Sequence, residues 1–392
     1  MRHAVILLLL TLSPALWAEA LLVEKQRFEM DNFQTFNGQQ IRKIQVGWES
    51  YGKMNKDKSN VILITHYFSG NSHAAGRYHP DDAAPGYWDA IIGPGKAIDT
   101  NEYYVLSVDT LANLSAHDPK VITTGPASTN PDTGKPYGLD FPVVTIRDFV
   151  NVQKALLDSL GIDKLHAVIG PSMGSLQALE WASAYPERVE RLVSVIGAGR
   201  MDAWTVAALE HWAAPIRLDP NWQQGRYYGG QLPLAGLTAS LALITQDALH
   251  PDFVNGANPD HHPLEQAPLT DIRQSHQVVN WLWGLAASRA RMVDANHLLY
   301  LVRASQLYLA GMDKTLEQGL RGVRARVLLL PAVEDQILMP YLTEELQQAL
   351  LKQQKSVTHK NIPGPMGHLN GLRNIDQVGE TIRTFLQQGN PL

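Results

Sequence analysis

Leu165-His166-Ala167-Val168-Ile169-Gly170-Pro171-Ser172-Met173-Gly174-Ser175-Leu176 is the stretch on which the fold turns. Its first five residues form a short apolar, β-branched run of the kind that makes a fully buried strand. A helical segment, Leu176 to Tyr185, opens directly after it. Between them stands Gly170-x-Ser172-x-Gly174. A serine on a sharp strand-to-helix turn adopts strained backbone angles, and a Cβ two residues to either side would collide with the turn. The helix that follows directs N–H groups toward developing negative charge. The bland alternative is an ordinary Gly/Ser turn, and the flanking strand and helix weigh against it.

Working outward, Asn60–Thr65 and Tyr103–Val108 read as strands upstream, and Arg191–Ile196 and Val327–Leu330 as strands downstream. Thr145 to Leu160 carries apolar residues at helical spacing, with Gly161 as its stop. Helices alternating with short apolar strands specify an α/β fold, a mostly parallel sheet flanked by helices on both faces. Between residues 199 and 318 strand-like runs vanish and helical periodicity dominates, as in Trp281 to Leu301. This segment reads as a helical cap inserted between two parts of the core, residues 21–198 and 319–392. Trp281, Trp283, Leu298, Leu299 and Leu301 are expected to be cap packing, and Asp118 to Gly138 a long loop.

Composition narrows the chemistry. The chain has 392 residues, of which 45% are hydrophobic, and no cysteine. Disulfides, thiolate zinc sites, iron–sulfur clusters and a cysteine nucleophile are therefore excluded. A net charge of −5 gives no electrostatic reason to expect nucleic acid. Residues 1–20 differ from the rest: Arg2 and His3 precede the run Ala4 to Leu12, Ser13-Pro14 breaks it, and Ala15-Leu16-Trp17-Ala18-Glu19-Ala20 follows. That is the pattern of a signal peptide cleaved after Ala18 or Ala20, with an apolar run too short to span a bilayer. The mature protein is expected in the periplasm or secreted, without stable membrane insertion.

A serine nucleophile needs a base, and the base needs an orienting carboxylate. Folds built on this turn supply them in the order serine, acid, histidine. Asp335 leaves the C-terminal end of the Val327–Leu330 strand and is the expected acid, with Glu334 its neighbour and competitor. His368, in Pro363-Gly364-Pro365-Met366-Gly367-His368, precedes the last helix, Gln377–Gln387, and suits the base. An oxyanion hole needs two convergent N–H donors. Met173, after the nucleophile, offers one, and Phe68 in the loop His66-Tyr67-Phe68-Ser69-Gly70 the other. His66 and Ser69 are expected to make hydrogen bonds within that loop, while Arg77, Tyr78 and His79 lie close enough to line a pocket. The pair His261-His262 lacks the further ligands a zinc site requires and reads as a solvated loop. No metal or organic cofactor is implied.

The chain resembles the homoserine O-acetyltransferase family of the α/β-hydrolase superfamily from about Phe28 to His368. The resemblance rests on Gly86-Tyr87-Trp88, Ile92 to Thr100, Phe141 to Asp148, Gln177 to Ala182, Asp219-Pro220-Asn221-Trp222 and Arg291-Met292-Val293-Asp294-Ala295-Asn296. It implies the α/β-hydrolase fold with a helical cap, a homodimer through that cap and an acyl-serine mechanism. Departures from the family pattern bear on substrate. Pro171 precedes the serine and Ser175 follows the second glycine, where the family usually has glycine at both places. Leu241, in Gly236 to Leu241, stands where the family has an arginine for the acceptor carboxylate. Leu369 follows the histidine where the family has aspartate, and Asn113 to Thr124 replaces a Gly-rich loop. A site for a zwitterionic acceptor would need those charges, since burying unpaired ones costs several kcal/mol. Acetyl-CoA is a cytosolic metabolite, so an exported transferase would also lack its donor. The expectation is thus an exported serine esterase acting on a small-molecule acyl ester. An acetyl-CoA-dependent transferase and a catalytically silent binding protein are the competing readings.

Overall fold

A computed structural model describes residues 21–388. The leader expected in residues 1–20 lies outside the described residues. One eight-stranded sheet organises the molecule, with strands β1 (Gln26–Gln34), β2 (Gln40–Tyr51), β3 (Val61–Thr65), β4 (Tyr104–Val108), β5 (Ala167–Pro171), β6 (Arg191–Val195), β7 (Arg326–Leu330) and β8 (Val357–His359). Their spatial order is β1-β2-β4-β3-β5-β6-β7-β8. β1 and β2 are antiparallel, as are β2 and β4, and every other pairing is parallel. This is the α/β fold expected from the alternation of strands and helices.

The period of two along each strand divides the core between the two faces of the sheet. Leu63, Val168, Leu192, Val327 and Leu329 point to one side, where helices α1 (Ile146–Ser159) and α2 (Met173–Ala184) lie. Ile62, Ile64, Ile169, Val193, Leu328 and Leu330 point to the other, onto Ile382, Phe385 and Leu386 of the C-terminal helix. Every residue of β3, β5 and β6 is buried, which is why these strands are mostly apolar and show no alternation of apolar and polar residues. α1 starts on a capping box, Thr145 with Asp148, and Gly161 at φ 65° ends it.

Between β6 and β7 the chain forms α3 (Ala203–Leu218), α4 (Leu234–Ala248), α5 (Pro251–Ala257), α6 (Gln266–Thr270), α7 (Gln277–Ala290), α8 (Ala295–Gln306) and α9 (Leu316–Leu320). After β7 come α10 (Pro340–Lys352), α11 (Asn370–Arg373) and α12 (Gly379–Gln387). The continuous periodicity of Trp281 to Leu301 is split into α7 and α8, because the buried Asp294 carboxylate accepts the His297 N–H at 3.0 Å and starts a new helix. Leu298 and Leu301 are fully buried, whereas Trp283 is 44% exposed and so is only partly packed. Among the described residues no helix is long and apolar enough to cross a membrane.

Candidate active site

Strand register brings the site together. Pro171 pairs with Val195, and Val195 with Leu330, so β5, β6 and β7 end at one level. β5 runs two residues past the apolar run read from sequence, and α2 begins at Met173, so the turn between them is Ser172 alone. Ser172 has φ 56° and ψ −123°, a conformation L-residues seldom adopt. A Cβ on Gly170 would overlap Thr65 Oγ1 and the Gly174 carbonyl, and one on Gly174 would overlap the Thr65 carbonyl. Both glycines are needed because β3 passes directly beneath the turn. The Ser172 N–H donates to the Val195 carbonyl at 2.9 Å, which fixes the turn to the neighbouring strand.

A serine at a helix N-cap usually accepts a hydrogen bond from its own helix. Ser172 makes no such bond. Its Oγ lies 2.8 Å from His368 Nε2, and His368 Nδ1 lies 2.7 Å from Asp335 Oδ2. Asp335 Oδ1 accepts the N–H groups of Ile337 (2.8 Å) and Leu338 (3.0 Å), so the carboxylate is held by its own loop. All three side chains are buried. The competing acid, Glu334, is exposed and takes no part in the relay. The two loops are stitched by the Ile362 N–H donating to the Pro331 carbonyl at 2.8 Å.

The histidine loop has a brace that sequence reading missed. Asn370, fully buried, accepts the Met366 N–H at 3.1 Å and donates to the Gly364 carbonyl at 2.8 Å. Nothing local in the sequence marks Asn370 for this role, because its partners are fixed by how the loop folds back on itself.

The loop after β3 is equally fixed. His66 is fully buried, and burial lowers its pKa, so it is neutral. Its Nε2 accepts the Thr110 N–H at 3.1 Å, which leaves Nδ1 to donate to the Tyr67 carbonyl at 2.8 Å. That carbonyl and the Phe68 N–H belong to one peptide plane, so His66 fixes the direction of the Phe68 N–H. Neither the Phe68 nor the Met173 N–H has a protein acceptor among the described residues. Both residues border a cavity of about 30 Å³ that contains Ser172, together with Leu176, Leu209, Trp212 and Leu338. The Phe68 ring meets Trp212 edge-on, with centroids 5.4 Å apart. These cavity residues come from separate segments, and no local pattern joins them.

Other expectations fare differently. Ser69 makes no side-chain hydrogen bond among the described residues and instead faces a groove of about 320 Å³. Of Arg77, Tyr78 and His79, only Tyr78 lines that groove. His261 lies 3.4 Å from Glu265, and His262 Nδ1 accepts the Leu264 N–H at 3.1 Å.

The α/β-hydrolase fold family model matches residues 85–370. The chain is 37% identical to the homoserine O-acetyltransferase of Methanococcoides burtonii, over 90% of this chain and 71% of that one. The chain belongs to the α/β-hydrolase family, on its homoserine O-acetyltransferase-like branch. Two of the similar solved structures are matched over nearly their whole length. The structure of esterase E22 is 63% identical with a TM-score of 0.92, covering 93% of this chain and 100% of that one. The homoserine O-acetyltransferase from Bacillus anthracis is 36% identical with a TM-score of 0.91, covering 94% and 99%. The resemblance read from the motifs is thus borne out. As an α/β-hydrolase of this branch, the protein is an enzyme of acyl transfer or acyl hydrolysis.

Proposed function

We propose that the protein is an exported serine esterase that cleaves a small acyl ester through an acyl-serine intermediate. The observation that carries this is the continuous relay from Ser172 through His368 to Asp335, with contacts of 2.8 and 2.7 Å. In this reading Ser172 Oγ attacks the acyl carbonyl while His368 Nε2 takes its proton, and Asp335 holds the imidazole tautomer. The N–H groups of Phe68 and Met173 stabilise the oxyanion. The C–O bond to the alcohol then breaks, and His368 returns the proton to the departing oxygen. Water activated by His368 releases the acid and restores Ser172. No cofactor enters these steps.

Water as the acceptor is supported by what the site lacks. Leu241 is buried on α4 and Leu369 follows the histidine, so neither position offers the charge a zwitterionic acceptor needs. The esterase name of the 63%-identical structure points the same way. Export rests on the leader-like pattern of residues 1–20. The transferase reading is favoured by the 37% identity to a homoserine O-acetyltransferase, whose acetyl acceptor would replace water in the second half-reaction.

A panel of acetyl to octanoyl esters, offered to wild type and Ser172→Ala, tests the proposal. Turnover of the shorter esters that disappears in Ser172→Ala is expected. Equal rates for the two proteins would overturn it.

A further inference from the structure

The cavity over Ser172 is small, about 30 Å³. A water-sized sphere needs about 10–15 Å³, so the space suits little more than the methyl end of an acetyl group. One wall of this cavity is Met201, in the segment between β6 and α3. Behind Met201 lies a surface groove of about 790 Å³, bordered by Arg200, Tyr308, Leu309, Leu316 and Ala349. Among the described residues, Met201 alone lines both spaces.

Its backbone is held firmly. The Met201 N–H donates to the Tyr308 carbonyl at 3.0 Å, and the Ala310 N–H donates to the Gly199 carbonyl at 2.9 Å. Neither bond involves the side chain, so truncating it leaves the segment tied in place. The side chain is an unbranched thioether, half-buried, separating a small apolar pocket from the larger groove.

We infer that Met201 is the back wall of the acyl pocket and sets the limit on acyl-chain length. Removing the side chain beyond Cβ joins the Ser172 cavity to the outer groove, so that longer acyl chains thread through. The inference rests on the acyl-serine reading given above, but not on water being the acceptor. A pocket wall of this kind is worth about 10- to 200-fold per methylene refused.

The test is the rate of Ser172 acylation, followed by intact mass and p-nitrophenolate release, with p-nitrophenyl acetate, butanoate, hexanoate and octanoate. In this step the Ser172 Oγ–acyl bond forms, the bond to p-nitrophenolate breaks, and the serine proton passes to His368. Wild type is expected to fall at least tenfold from acetate to butanoate and further beyond. Met201→Ala is expected to raise the hexanoate-to-acetate ratio at least tenfold, Met201→Val by less, and Met201→Leu to keep the wild-type profile. An unchanged ratio in both Met201→Ala and Met201→Val would overturn the inference. So would wild-type acylation by octanoate as fast as by acetate. Selective acylation followed by a stalled acyl-enzyme would support the wall while counting against water as the acceptor.

Discussion

At the scale of single residues, two adjacent carboxylates sit unequally: Asp335 is buried against His368, whereas Glu334 is exposed. Asp335→Asn keeps the shape but removes the acceptor that fixes the His368 tautomer, and kcat should fall by about a thousand- to ten-thousand-fold. Glu334→Gln, at an exposed position outside the relay, should change kcat less than about threefold by the same reasoning; steady-state kinetics on both variants checks the pair. A second carboxylate matters for stability. Glu49 is fully buried; burial pushes its pKa up, but the His73 hydrogen bond and the Lys25 ammonium outweigh this and hold it at about 2. A folded-state pKa depressed from 4.5 contributes stability that is present above pH 4.5 and lost as pH falls toward 2. The contribution is on the order of 3 kcal/mol. Thermal melts from pH 7 to pH 3 should therefore show wild-type Tm dropping steeply below pH 4.5, and a shallower drop in Glu49→Gln. Ser172, Asp335 and His368 were legible because residue type, order and strand context all constrain them. His66 and Asn370 were not, because what they do depends on which carbonyl lies beside them in space.

At the scale of elements, the turn between β5 and α2 is the least tolerant part of the molecule. Gly174→Ala would drive a methyl group into the β3 backbone at Thr65, so the turn must shift. A loss of about 1–3 kcal/mol in urea unfolding is expected. Ester turnover should fall with it by more than tenfold, because Ser172 moves relative to His368. Gly256→Ala in α5, where an added Cβ meets nothing within 4 Å, is the matched control and should lose neither. The buried parallel strands could be read from their apolar runs, but β1 and β2 were missed. β1 is a largely exposed edge strand, and in β2 Lys43 at φ 56° interrupts the alternation, so that Ile41 and Ile44 both face the core. β8 spans only three residues, too few for any periodic signal. β5 was read two residues too early at both ends and α2 three residues too late at its start, because Gly and Pro usually punctuate strands, whereas here Gly170 and Pro171 are the last two residues of β5.

At the scale of the whole molecule, the cap leaves apolar side chains uncovered. Leu243 on α4 and Val279, Trp283 and Leu285 on α7 are each between 36% and 44% exposed, and α4 packs against α7. We propose that a second copy of the chain covers them. Sedimentation velocity should give a dimer for the wild type and a monomer for Trp283→Asp, with a wild-type monomer contradicting the proposal. The largest question is what ends the catalytic cycle, since the relay can activate the hydroxyl of water or that of an alcohol acceptor. The decisive measurement supplies the purified protein with an acetyl ester in the presence and absence of homoserine and quantifies both products. Acetate release at the same rate in both, with no O-acetylhomoserine, is the predicted result. O-acetylhomoserine forming faster than acetate would contradict the account and make the protein a transferase.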